Sequence, residues 1–424
     1  MIGWHRVRFA SVERMRDKIK STFWVVPAAC VLASILLAAG LIRLDQILGA
    51  DAGVVVFYPG PPEGARSLLS SIVGAMISFT GLVFSITIVV LQLTSGQFSP
   101  RSLRIFLRDR TVKFALGIFI ATFVYAMVVQ RAVLGTTSQD PFVPRIAVSA
   151  AFVFVLASVG LFIGYLARIS NMIRVATIIT EIGIESRATL RRRFGSAPDH
   201  GVAPELASRD PTPPQPVSGT VLAAAAGVLV SVNEARLVQS AAAAGCALEL
   251  AVRIGDFVPA NAVLCIVRQV HPREQDDMAA KAGRLDEEVR AHIALDSERT
   301  SEQDLAFTLR QLVDIAERAL SPAVNDPTTA CQCLDVLHDI LRRLASRPLP
   351  DGRWSDAGGA VRLVVPQYSY ADYLDLAVGE IWHYGADAAQ VPARMASMLA
   401  DLAAAALPGY QGDIRRWSDL IHSP

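Results

Sequence analysis

SLLSSIVGAMISFTGLVFSITIVVLQLTSGQFSP, residues 67–100, contains no Lys, Arg, Asp, Glu or His. As a helix rising about 1.5 Å per residue it would run about 50 Å, against a hydrocarbon core of about 30 Å, so it must tilt or project from the bilayer. Its small and polar residues are ordered. Ser71, Ser78, Ser85, Gln92 and Ser99 recur every seven positions, and Gly74, Gly81 and Ser95 fall at the intervening places. Together they draw one narrow heptad seam along the helix. Thr80, Thr87 and Thr94 form a second stripe, roughly 200° away at 100° per residue. Ile72, Met76, Phe79, Val83, Ile86 and Val90 supply a bulky apolar face between them.

Three further runs are apolar enough to cross a membrane: Ser21–Ile42, Phe114–Gln130 with its flanks, and Ile146–Ala167. The four spans are placed at about 21–42, 67–100, 112–133 and 146–168, within a transmembrane domain over 21–167. The first run is too long for the core of a cleaved leader. Lys and Arg concentrate before span one, between spans two and three (Arg101, Arg104, Arg108, Arg110, Lys113) and after span four. That alternation puts both termini in the cytoplasm of an inner-membrane protein. Residues 1–20 mix Trp4, Val7, Phe9 and Val12 with cations, as an interfacial arm on anionic lipid does.

The composition agrees. Of 424 residues, 52% are hydrophobic and 19% charged, too apolar for an ordinary soluble or disordered chain. A net charge of +1 argues against nucleic acid as a partner. Five cysteines without a CxxC pair exclude a disulfide-dense scaffold and read as inert thiols.

The expected fold class is thus an α-helical four-span membrane domain followed by a mixed α/β cytosolic region. Helical periodicity carries span four onward as one continuous helix over 168–195. Residues 196–216 are a Pro-rich linker. Short alternating stretches over 217–270 predict a small β-barrel-like module. Within it, RIGDFVPANAVLCIV (253–267) is similar to the hairpin of lipoyl and biotinyl carriers. No Lys stands between Val217 and Val270 to carry the cofactor, so none is expected. Residues 271–424 read as mainly helical, with helices over 303–319, 372–384 and 391–406 and a strand at 361–365.

No sequence pattern demands catalysis or a metal. Asp335, His338 and Asp339 share one helix face at metal-compatible spacing, but local ion pairing explains them more simply. Asn325, Asp326 and Pro327 read as a structural turn, with Asp326 as N-cap and Pro327 at the first helical position. Asp304, Arg310 and Asp314 flank that turn in sequence and could support it or form a polar cluster. The protein is therefore expected not to be an enzyme.

In lipid, hydroxyls, amides and glycines are useful where helices approach closely or where water enters. The seam over Ser71–Ser99 therefore reads as a helix–helix contact or as the lining of a path for small ions. Arg101, Arg104 and Arg108 would stand at its cytosolic mouth. One polar helix cannot enclose a path, so a pore requires a homo-oligomer, with membrane lipids as the other partner. A scaffold or sensor without a pore is the alternative.

Three stretches carry a resemblance: SFTGLVFSITIVVLQLTSGQFSPR (78–101), FLRDRTVKFALGIFIATFVYAMV (106–128) and QDLAFTLRQLVDIAERALSPAVNDPTTA (303–330). They resemble a bacterial family of predicted membrane proteins, domain of unknown function 2254. The resemblance implies a four-span N-terminal domain and a cytosolic C-terminal domain, and no activity.

Overall fold

The computed structural model describes residues 24–48, 58–97, 110–134, 142–172, 174–195, 216–269 and 278–422. They form two compact units that part near Thr177. The N-terminal arm and nearly all of the linker lie outside the described residues.

The first unit holds α1 (Val25–Leu48), α2 (Pro62–Gln97), α3 (Arg110–Ala132) and α4 (Arg145–Met172). All four are long and apolar enough to cross a membrane. α3 is the central helix: 56% of its apolar window is buried, against 11–22% in the other three. Phe119 meets Phe79 of α2 edge-on at 5.3 Å, and Tyr125 meets Phe154 of α4 at 4.9 Å. Gly117 lets α1 come close. A Cβ there would lie 3.0 Å from the Cys30 sulfur and 3.2 Å from the Pro27 Cα.

α1 runs past the expected end at Ile42 and includes Arg43 and Asp45. The reason is visible at α4. The Asp45 carboxylate accepts from the backbone N–H of Ile146 (3.0 Å) and Ala147 (3.1 Å), capping an N-terminus whose donors have no helical partner. Arg66 answers at a C-terminus, donating from Nε and Nη2 to the Val133 carbonyl that follows α3 (3.2 and 2.8 Å). Both pairs match the sign of the helix dipole they face. Deeper in the unit, Tyr165 pairs with the Thr87 hydroxyl at 2.6 Å, and Thr122 with Ser158 at 3.2 Å.

The expected single helix through 168–195 is instead two elements. α4 ends at Met172, and α5 spans Val175–Phe194. α5 belongs almost wholly to the second unit, where Ile178, Ile179, Ile182 and Leu190 are buried.

After α5 come β1 (Val217–Leu222), β2 (Gly227–Val232), α6 (Glu234–Ala244), β3 (Cys246–Leu250), β4 (Phe257–Val258), β5 (Val263–Gln269), α7 (Met278–Ala291) and β6 (Ile293–Asp296). Then follow α8 (Leu305–Leu320), α9 (Pro327–Ala345), β7 (Arg353–Ser355), β8 (Val361–Val364), α10 (Tyr370–Gly385), α11 (Gln390–Ala405) and α12 (Gln411–His422).

The strands do not close into the barrel-like module expected over 217–270. They form two open sheets, ordered β1-β5-β3-β8-β7 and β4-β2-β6. The physical reason is recruitment from outside the segment. β8 pairs parallel to β3 (Leu248 with Leu363), and β6 pairs with β2 (Val232 with Ile293). The carrier-like stretch is no hairpin either, since β4 and β5 lie in different sheets. Residues 234–244, read as part of the strand-rich segment, are helical. Asn233 accepts from Arg236 N, and Gly245 ends the helix at φ 68°.

Asp45→Ala should leave two backbone donors of α4 without an acceptor. We expect a loss of about 1–3 kcal/mol, read as a lowered thermal midpoint in detergent, with Asp45→Asn intermediate.

Candidate functional site

α2 has two chemically different faces. Leu69, Ile72, Met76, Val83 and Val90 are buried in the first unit, as their bulk requires. Ser71, Gly74, Ser78, Gly81, Ser85 and Gln92 are all exposed on the opposite side. Among the described residues, the seam therefore does not serve helix packing within the chain. Gly74 and Gly81 have open space where a Cβ would stand. Exposed Ile77, Phe84 and Ile88 rise along one flank, with Leu82 and Val89 along the other. The result is a shallow groove floored by hydrogen atoms and hydroxyls. Such grooves accept a second helix closely.

The hydroxyls are partly spoken for. Ser71 donates to the Ser67 carbonyl (2.9 Å) and Ser78 to the Gly74 carbonyl (3.2 Å). The threonine stripe lies elsewhere, half-buried. Thr80 donates to the Met76 carbonyl, and Thr87 engages both the Val83 carbonyl and Tyr165. Ser95 is helical, but its side chain lies outside the described residues, as do Ser99, Arg101, Arg104 and Arg108 altogether.

The turn between α8 and α9 is a cap. Asn325 takes the left-handed conformation at φ 48°. Asp326 accepts from Thr329 N (3.1 Å) and the Thr329 hydroxyl (2.6 Å), with Pro327 opening the helix. Those bonds hold the Asp326 carboxyl below its ordinary range. Asp304, Arg310 and Asp314 do not support this turn. Asp304 caps α8 through Phe307 N, and Arg310 binds Asp314 (2.8 Å) and Glu380 of α10. Asp335, His338 and Asp339 are taken up in ion pairs, and Arg394 reaches both Asp335 and His338 Nδ1 (2.9 Å). Asp335 pairs with Arg394 (2.6 Å), His338 with Asp401 (2.8 Å) and Asp339 with Arg187 (3.2 Å). All five cysteines are free. Burial pushes Cys246, Cys331 and Cys333 up and Cys265 to about 12, which keeps these thiols protonated and unreactive.

Two features escape a linear reading. One is the extension of the Arg310–Asp314 pair, which the sequence offered as part of a polar cluster, to Glu317 and Glu380. Burial and the neighbouring Glu380 push Glu317 up to about 7, while Arg310 holds Glu380 down at about 2. The other is a small open cleft lined by Arg193, Arg253, Asp304 and Tyr373 among others. Its residues are scattered over half the chain, so no local motif announces it.

Four helices apolar enough to cross a membrane, beside a separate mixed α/β unit, define a membrane protein. The chain belongs to the family described as "Predicted membrane protein (DUF2254)", which matches residues 20–401. It is similar to the Uncharacterized protein Rv1290c of Mycobacterium tuberculosis and the Uncharacterized protein Mb1321c of Mycobacterium bovis. Each is 32% identical over 374 residues, covering 87% of this chain and 69% of the relative. No solved structure matches.

A carboxyl whose folded pKa lies above its unfolded value binds an extra proton in the native state. Stability is therefore lost as pH rises from the ordinary glutamate range through about 7. Between about pH 5 and pH 8 the thermal midpoint should fall, and Glu317→Gln should flatten that slope. An unchanged slope in the variant would assign the loss to other groups.

Proposed function

We propose that the protein is a homo-oligomeric, channel-like assembly in which copies of α2 surround a path for small ions. The C-terminal units would form a vestibule on the cytosolic side of a bacterial inner membrane, with lipids around the remaining helices. The orientation rests on the clustering of Lys and Arg after spans two and four and before span one. One observation carries the reading: the groove over Ser71–Gln92 faces out of its own helix bundle, while the bulky side of α2 faces in. Neutral hydroxyl and amide groups suit water and partly hydrated ions. The reading invokes no catalysis, cofactor, metal or nucleic acid.

A second reading has its own support. The Ser71 and Ser78 hydroxyls donate to their own helix carbonyls and so need no water. A dry seam between copies would make the protein a membrane-anchored scaffold or sensor without a pore.

Cysteines introduced at Ser78, Ser85 and Gln92 separate the two. A wetted path predicts labelling by water-soluble thiol reagents at all three; a dry seam predicts crosslinking between copies without labelling. In reconstituted bilayers, Ser85→Leu and Gln92→Leu should each reduce conductance severalfold. Equal conductance in both variants would remove α2 from the path.

A further inference from the structure

The cleft in the C-terminal unit is built from three directions. Arg193 comes from the last turn of α5, Arg253 from the loop after β3, and Tyr373 from the first turn of α10. The N-terminus of α8 forms its floor through Gln303 and Asp304. The walls are preorganised. The Arg253 guanidinium lies 4.7 Å over the Tyr368 ring, and Tyr368 stacks on Tyr373 at 5.3 Å with 29° between planes. Gly255, at φ 96°, lets the chain pass so near that a Cβ would fall 2.5 Å from Asp304 Oδ2.

The balance of donors and acceptors decides what fits. Each side-chain acceptor already takes a donor from the protein. Gln303 Oε1 takes Val232 N (3.0 Å), and Gln367 Oε1 takes Arg193 Nη2 (3.3 Å). Asp304 Oδ1 takes Phe307 N (2.9 Å), and Asp304 Oδ2 takes Arg299 Nε (2.9 Å). Asp372, 3.6 Å from Arg253, already accepts from Ser369. Donors remain. Tyr373 is 5% exposed, and its hydroxyl has no hydrogen-bond partner among the described residues. Burial raises its pKa, so the group keeps its proton at neutral pH. Arg193 and Arg253 have five N–H each, and their partners here are Glu234 and Gln367 for the first and Asp372 for the second. A surplus of donors, two of them cationic, calls for an acceptor of negative charge.

We propose that this cleft binds a small free oxyanion of phosphate or carboxylate type, held by Tyr373, Arg253 and Arg193. The site stands apart from the pore reading, since every residue in it lies in the C-terminal unit.

Isothermal titration of the full-length protein in detergent, at constant ionic strength, tests it with inorganic phosphate and with acetate as separate probes. About one anion should bind per chain, and the tighter probe identifies the source. Tyr373→Phe keeps the ring stack and should weaken binding about five- to tenfold; Arg253→Gln should weaken it about tenfold. Without added anion, Tyr373→Phe should melt within about 1 °C of the parent, because the hydroxyl it removes has no partner. A markedly lower midpoint would show a structural role instead. Failure of both probes to bind, or equal affinity in parent and variants, would overturn the site.

Discussion

Two charges at helix ends organise the membrane unit: Asp45 on the N-terminal donors of α4, and Arg66 on the carbonyl that follows α3. Apolar surface draws helices together in water, but acyl chains are as apolar as leucine, so association in lipid needs shape and hydrogen bonds. Both are supplied sparingly. Asp45 ties α1 to α4, Arg66 ties α2 to α3, and Tyr125 donates from α3 to the Ala147 carbonyl of α4 at 2.9 Å. The Tyr58 N–H adds a bond to the Ser149 hydroxyl (2.9 Å). These bonds set the rotation of each helix about its axis. For α2, that rotation decides which face turns outward.

Hydropathy made the four crossings legible because length and absence of charge are local properties of a segment. The heptad seam was equally legible as a pattern, but not as a direction. Whether Ser78 faces Phe119 or faces away depends on where Phe79 and Met76 dock, and that is a matter of packing. The isolated charges Asp45 and Arg66 carried a signal that a topology count absorbs: a single acid or base at the end of an apolar run needs a partner there. In the second unit, helices with strong periodicity and caps, such as α8 and α9, follow the sequence closely. The sheets do not. β3 is completed by β8, more than a hundred residues away, and nothing within 217–270 specifies that pairing. An incomplete set of strands invites closure into a barrel on paper; recruited strands keep the sheets open instead.

The division between α4 and α5 has the same origin. Apolar residues continue at helical spacing through Ile169, Ile173, Ala176 and Ile179, so periodicity alone predicts one helix. The apolar positions on the two sides answer to different partners, however. Ile169 is buried in the first unit, whereas Ile178, Ile179 and Ile182 are buried in the second. Gly183 makes the second attachment close: a Cβ there would stand 2.8 Å from Val336 of α9. Arg187 with Asp339, and the Thr189 hydroxyl on the Ser301 carbonyl at 2.8 Å, secure it further.

α5 is therefore a part of the C-terminal unit that happens to follow a membrane span in the chain. Its first turn leads from α4 and its last turn delivers Arg193 to the cleft, with the Glu234 carboxylate and Gln367 amide holding the guanidinium in place. A guanidinium so restrained has little rotamer entropy left to lose when an anion arrives, which is the condition for a small ligand to bind at all with few contacts. The same restraint explains why Tyr373 can keep a hydroxyl without a partner. The stack on Tyr368 fixes the ring, and the hydroxyl lies at the lining of the open cleft. The cleft and the α2 groove thus share a logic. In each, the bulky or charged groups are fixed by the fold, and the groups left open are those with something still to donate or room still to give.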